Sequence, residues 1–326
     1  VRAVVLRAKG GPDVLAIEEV PEPVPGPDEV LVEVVATALN RADLLQRMGL
    51  YPGPAMAHEI PGLEYAGRVV AVGERCATAR VGDEVMGITG GGAYAELLVV
   101  HERQLLPVPP TVTLADAAAI PEVFITAWDA LVLQGGLTSG RWALVHAGAS
   151  GVGTAAIQIA KAVGARVAVT CSEGKAEVCR GLMADLVVTR SPHDWLGELL
   201  AHVPGGVHTV LDVVGGDETN RNLQAVAHKG TIVQVGLMGS GRVQADLGLL
   251  LAKRVRLVGT VLRARPLEEK ITVTRRFAEE VVPLFDSGVL RPVIDSRFPF
   301  DAVAEAHRRM EANANAGKIL LDVRPG

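Results

Sequence analysis

Apolar positions along the chain follow two successive patterns. Up to about residue 120 they come in short valine-rich runs, at 3–6, 29–36, 65–72 and 94–100, punctuated by glycine and proline at 21–27, 82–83 and 90–92. Runs of this length bounded by turn residues predict strands, so the first third reads as β-rich. One break falls at 40–47, NRADLLQR, which reads as a short helix leading into a Gly/Pro-flanked loop at 49–54 that carries Tyr51. From Leu114 helical stretches appear at 114–120 and 123–133. Near-continuous apolar strands then alternate with helices at 143–145, 165–170, 186–189, 209–213, 231–235 and 255–260. That alternation predicts a parallel sheet covered on both faces. The tail from 291 to 323 returns to strand, helix (301–311) and strand (317–321).

The pivot of the second pattern is 145–164, VHAGASGVGTAAIQIAKAVG. An apolar strand enters a turn containing Gly148, Gly151 and Gly153, and a helix with an apolar stripe leaves it. Another strand follows at 165–170, closing a β–α–β unit. This order suits a dinucleotide, because glycines let the backbone approach a pyrophosphate and the helix N-terminus offers unpaired N–H groups. Ser150, Gly151, Val152 and Gly153 are therefore the expected phosphate-binding residues. The turn is not the strict glycine fingerprint, since Ser150 stands at the middle glycine. A serine nucleophile elbow is excluded because it requires Gly-x-Ser-x-Gly and Val152 occupies the last glycine position.

Composition narrows the setting. The chain has 326 residues, enough for two domains, with 49% hydrophobic and 21% charged residues. A net charge of −5 gives no electrostatic reason to expect nucleic acid or an anionic membrane. Cys76, Cys171 and Cys179 form no C-x-x-C pair, so neither a disulfide scaffold nor a zinc module is expected, and a reducing cytoplasm is. No run approaches the roughly 18 apolar residues of a membrane span. The eight histidines fall at no metal-ligand spacing, and Lys253, Arg254 and Arg256 read as solvated charge beside a strand.

Several stretches together resemble the medium-chain dehydrogenase/reductase superfamily: the β-rich start, PGLE at 61–64, VGDEV at 81–85, AGASGVG at 147–153 and the terminal Gly317-Lys318-Ile319 strand. ALNRADLLQR at 38–47, GLY at 49–51, GLMG at 236–239 and MEAN at 310–313 resemble most the p53-inducible branch of its zinc-free quinone oxidoreductases. The resemblance implies an α/β protein of two domains, a GroES-like β-rich catalytic domain at 1–120 and 291–326 and a Rossmann NADP-binding domain at 121–290. It implies that Asn40 and Leu63 stand where zinc enzymes carry ligands. Neither is a credible zinc ligand, so no metal is expected and hydride chemistry shifts toward acceptors that are already electrophilic.

Further roles follow from the same resemblance. Ser172 and Lys175, after the strand ending at Thr170, match residues that hold the 2′-phosphate of NADPH, with Glu173 as counter-signal. Arg190, a tyrosine in many relatives, either joins that phosphate or is a surface arginine. Asn40, Thr126, Gly236, Leu237, Val261, Leu262, Arg263 and Asn315 are implied around the nicotinamide, in a cleft between the domains, with Asn40 counted beside Tyr51 as a catalytic residue. Tyr51 matches a position beside the quinone, where it bonds the acceptor oxygen or relays a proton; the alternative is that it packs its loop. Asp212 is expected to order a turn. Met183 replaces a frequent glycine without an evident reason. The expectation is a cytoplasmic NADPH:quinone oxidoreductase, with an enal or enone reductase and a low-turnover NADPH-binding protein as alternatives. Its partner is a small quinone or related electrophilic carbonyl, not nucleic acid or membrane. A homodimer or homotetramer is expected through the edge strand at 255–260.

Overall fold

Strands form in the first third because alternate residues enter one core. In chain order they are β1 Arg2–Leu6, β2 Leu15–Glu19, β3 Glu29–Ala38, β4 Glu64–Val72, β5 Glu84–Ile88, β6 Leu97–His101 and β7 Leu106–Pro107. Helix α1, Arg41–Arg47, follows β3, and α2 Leu114–Ala117 and α3 Pro121–Trp128 come after β7. The computed structural model describes residues 1–54, 57–190 and 194–324.

The alternating segment becomes β8 Trp142–His146, α4 Gly151–Ala162, β9 Arg166–Cys171, α5 Ala176–Gly181, β10 Leu186–Thr189 and α6 Trp195–His202. It continues through β11 Val207–Asp212, α7 Glu218–Ala225, β12 Val226–Gln234, α8 Leu247–Lys253 and β13 Arg256–Gly259. These strands form one sheet in the order β10-β9-β8-β11-β12-β13, every pairing parallel. Strand order reverses between β8 and β11, and in such a sheet ligands bind beyond the carboxyl ends at that reversal. Leu144, Val188, Trp195, Leu199, Val210 and Ile232 pack its core.

The tail consists of α9 Leu267–Glu280, α10 Val282–Asp286, β14 Ile294–Pro299, α11 Val303–Glu311 and β15 Lys318–Asp322. Strand β15 pairs antiparallel with β3 and parallel with β14, so the last strand lies inside the β-rich sheet, ordered β14-β15-β3-β4-β5-β7. Two compact units result, Val1–Glu122 with Arg263–Gly326, and Val123–Leu262. Residues 263–290 thus go with the first unit and not with the 121–290 segment expected from the sequence. The reason is that α9 packs on β7 and on the turn at Glu102–Gln104.

One local expectation is corrected and one unexplained residue gains a reason. Lys253 is not solvated charge: its Nζ donates to the carbonyls of Leu223, Gln224 and Val226 at 2.6–3.0 Å, closing the C-terminus of α7. Met183 has φ +64, the left-handed region that favours glycine, which accounts for the residue type it replaces.

Candidate active site

Residues that carry chemistry gather at one place in the second unit and in two clusters of the first. In the second unit the turn from β8 into α4 is built for close approach. Ser150 caps α4, its Oγ accepting the Gly153 N–H at 3.0 Å. The N–H groups of Gly151 and Val152, at the first two helical positions, have no intrahelical acceptor and point outward from the helix start. A Cβ on Gly153 would lie 2.3 Å from the Ala147 carbonyl oxygen, and one on Gly148 would lie 2.6 Å from Val169 Cβ. Any side chain at either position would push the helix off the strands and remove the cradle.

Beneath this turn lies a buried polar chain that the sequence reading missed. His146 Nδ1 and Thr170 Oγ1 are 2.9 Å apart, and His146 Nε2 and Asn222 Oδ1 are 2.7 Å apart. Asn222 Nδ2 donates to Asp212 Oδ2 at 3.0 Å, while Asp212 Oδ1 accepts the N–H groups of Val214 and Gly215. Because Asn222 spends its amide N–H on Asp212, its oxygen must accept from His146, which places the imidazole proton on Nε2. Burial lowers the His146 pKa and keeps the ring neutral. The chain ties together the ends of β8, β9 and β11 where strand order reverses. Asp212 orders its turn, as expected.

Ser172 is exposed and Lys175 half-buried after β9. Arg190 is exposed and its guanidinium pairs with Glu218 at 3.2 Å, so a phosphate there would compete with a carboxylate. Thr126 is half-buried on α3, Leu262 is buried, and Gly236, Leu237 and Val261 lie on loops following β12 and β13. In the first unit Asn315 is buried and donates to the Gly317 carbonyl at 2.8 Å.

Asn40 sits in a buried ionic group in the first unit. Lys318 Nζ donates to Glu64 Oε1 at 2.6 Å, Asn40 Oδ1 at 2.8 Å and the Leu39 carbonyl at 2.7 Å. Asn40 Nδ2 donates to Glu64 Oε1 at 2.8 Å and reaches the Ala38 carbonyl at 3.4 Å, and Glu64 Oε2 accepts the Glu122 N–H. Asp43, fully buried, accepts from Asn40 N–H, Gly62 N–H and the Tyr94 hydroxyl. Burial nonetheless pushes its carboxyl up to about 6. Both ends of the Asn40 amide are therefore engaged, and the N–H that reaches Ala38 at 3.4 Å is its most weakly held donor.

Tyr51 lies in a second cluster of the first unit. The Arg263 guanidinium stacks 5.0 Å from the centre of the Tyr51 ring. Arg263 Nε donates to the Gly90 carbonyl and Nη2 to Gln46 Oε1, both at 2.7 Å. The Tyr51 loop lies directly on this guanidinium, since a Cβ on Gly53 would lie 3.0 Å from Arg263 Nη2 and 2.5 Å from Gln46 Nε2. Glu122 and Lys270, neither singled out in the sequence, complete the cluster. Burial, then the neighbouring Glu64 carboxylate, push the half-buried Glu122 carboxyl up to about 8. Burial, then Arg263, lower the Lys270 ammonium, and burial raises the Tyr51 phenol. Arg263 was implied beside the cofactor, yet every contact just described is to the first unit.

Comparisons with known proteins agree with this architecture. Residues 26–110 match the alcohol dehydrogenase GroES-like domain family and residues 182–321 the zinc-binding dehydrogenase family. The synaptic vesicle membrane protein VAT-1 homolog of Rattus norvegicus is 34% identical over 98% of this chain and 83% of its own length. Among solved structures, an NAD-dependent alcohol dehydrogenase is 32% identical, with TM-score 0.90 over 99% of this chain and 100% of its own. A quinone oxidoreductase of Pseudomonas syringae pv. Tomato DC3000 is 31% identical, with TM-score 0.89 over 98% and 99%. No helix among the described residues is long and apolar enough to cross a membrane.

Proposed function

The chain belongs to the medium-chain dehydrogenase/reductase superfamily of nicotinamide-dependent oxidoreductases, and on that premise we propose that it is an NADPH-dependent, zinc-independent quinone reductase. The observation that carries the reading is the Lys318–Glu64–Asn40 group. The zinc-binding family name raises a metal, and these residues do not fit one. Asn40 and the buried Leu63 offer no ligand pair, and the Lys318 ammonium already supplies the positive charge on Glu64. Without a Lewis acid to hold an alkoxide, the chemistry available favours an acceptor that is electrophilic from the start.

The second unit fits a dinucleotide. Gly151 and Val152 N–H groups would take the pyrophosphate, and Gly148 and Gly153 leave the backbone room to approach it. Ser172 and Lys175 would select the 2′-phosphate. Arg190 would have to exchange Glu218 for it. Bound, the reduced nicotinamide supplies a hydride; this chain binds it, positions it and presents Tyr51 to the acceptor.

The test is consumption of NADPH with 1,2-naphthoquinone, 1,4-benzoquinone and an enal in parallel, repeated with NADH. Fast loss with quinones and slow loss with NADH is the expected result. Loss with the enal alone overturns the quinone assignment, and equal rates with NADH overturn the NADPH assignment.

A homodimer is also proposed, through the outer edge of β13 and the neighbouring α8. Leu247, Leu251 and Leu257 are 64%, 73% and 47% exposed there, and a symmetry mate would bury them. A monomeric mass by light scattering at micromolar protein overturns it.

A further inference from the structure

The clamp on Tyr51 leaves one strong donor unused. Two of the three Arg263 nitrogens bond within the first unit, to Gly90 and Gln46, while Nη1 is buried with no acceptor among the described residues. Buried guanidinium N–H groups are ordinarily satisfied, because leaving one unmade forfeits hydration without return. One ionised carboxylate, Glu59, lies within electrostatic reach of Arg263, but it bonds Gln46 and is paired with Lys9 at 2.6 Å. A second acid, Glu122, has its carboxyl held up at about 8, so that it is mostly protonated at neutral pH. Lys270 adds a second half-buried cation within electrostatic reach of Arg263 and Glu122. With Glu59 paired to Lys9 and Glu122 protonated, the cluster around Tyr51 is positive, and among the described residues it is short of one acceptor atom.

We propose that Arg263 is the oxygen-binding residue of the acceptor site, its Nη1–H donating to the carbonyl oxygen of a planar conjugated acceptor while its stacking holds the Tyr51 ring beside that acceptor. This rests on the quinone-reductase reading. In that reaction a quinone would take a hydride, one proton with two electrons, which a bound reduced nicotinamide would supply on becoming oxidised. The product is the hydroquinone monoanion, and one proton from solvent completes the hydroquinone. Arg263 acts on the anion stage, where charge accumulates on the oxygen it binds; Lys270 adds long-range attraction. The site also selects acceptors: a quinone whose oxygen is already anionic binds more tightly than its neutral counterpart.

The experiment measures both turnover and binding. The probe is 2-hydroxy-1,4-naphthoquinone, ionised at neutral pH, titrated calorimetrically into the NADP⁺-loaded protein, where no reduction occurs. Arg263→Gln is expected to weaken probe binding and lower kcat with 1,2-naphthoquinone by roughly 10- to 100-fold each, the range of a charge-assisted hydrogen bond. KM for NADPH stays within about twofold of the wild-type value, and Arg263→Lys recovers part of the binding. Gln46→Leu cuts one tie of the clamp without removing Nη1–H and is expected to keep probe affinity within about threefold.

The proposal is overturned if Arg263→Gln binds the probe within about threefold of wild type, or if Gln46→Leu loses as much as Arg263→Gln, which would make Arg263 only a loop clamp. Should Arg263→Gln not fold, the wild-type protein decides: the probe must compete with 1,2-naphthoquinone, and failure to compete overturns the proposal. A wild-type protein that binds the probe through Arg263 yet reduces no quinone refutes the quinone reading and leaves the oxygen site standing.

Discussion

Replacing Lys318 with methionine removes a cation of which only 3% of the side chain is exposed. Glu64 keeps its carboxylate, wholly buried, with only the Asn40 amide and the Glu122 N–H to satisfy it. Asn40 Oδ1 and the Leu39 carbonyl each lose a donor. Breaking a buried pair from one side typically costs about 3–5 kcal/mol, because a charge is stranded. Removing both partners, Lys318→Met with Glu64→Leu, strands no charge and leaves only neutral groups short of a partner, at about 1–3 kcal/mol. The cycle should therefore be non-additive by about 2 kcal/mol or more. The probe must report on the first unit, and Trp128, Trp142 and Trp195 all lie in the second. Amide exchange across β15 and β3 during urea titration meets that need. A Lys318→Met cost below about 1 kcal/mol, or a double mutant less stable than Lys318→Met alone, would refute the account of this group as a tightly coupled buried pair.

Other outcomes follow from the same geometry. Glu122 has a folded-state value of about 8, above the ordinary 4.5, so the folded protein binds its proton more tightly than the unfolded chain. Stability is then fully present below about pH 4.5 and declines as pH rises toward 8, by about 2–4 kcal/mol once solvent access to the half-buried side chain is allowed for. Glu122→Gln should flatten the fall in melting temperature between pH 6 and 9, and an unchanged slope counts against it. Gly153→Ala places a Cβ against backbone at 2.3 Å and should weaken NADPH binding at least about tenfold in a fluorescence titration, with about 2 kcal/mol lost in stability. Lys175→Ala with Ser172→Ala should raise KM for NADPH by roughly 10- to 100-fold and leave KM for NADH nearly unchanged; equal effects would place the 2′-phosphate elsewhere. Met183→Gly relieves a left-handed, 72% exposed methionine and should raise stability by about 0.5–1 kcal/mol in thermal unfolding.

The second unit was the more legible in sequence, and the physics explains why. Its elements follow one another along the chain, and the glycine turn that organises it needs only residues 147–153 to be recognised. The alternation from Trp142 to Gly259 became six parallel strands close to where apolar runs placed them. What stayed hidden depends on partners far apart. Lys318 meets Glu64 across 254 positions, and Arg263 meets Gln46 across 217, so no local spacing could join them. Glu122 looks like an ordinary first-turn acid after Pro121; only its burial beside Glu64 makes it unusual. His146 was visible as a histidine near the turn, but its bonds to Thr170 and Asn222 arise from the parallel register of β8 and β9 and from α7. Met183 did carry a signal, since a methionine at a position that relatives fill with glycine points to a positive φ.

The insertion of β15 between β14 and β3 has a consequence for synthesis. The second unit is one uninterrupted segment, so a ribosome delivers all of it before the first unit can be finished. The first unit must wait, because Lys318 emerges 279 residues after the Leu39 carbonyl it bonds. Until then β3 presents an unpaired edge along Ala36–Ala38, and Glu64 is without the ammonium that makes its burial tolerable. The nascent β-rich sheet is thus the part exposed to aggregation and to chaperone capture, while the parallel-sheet unit stands folded ahead of it.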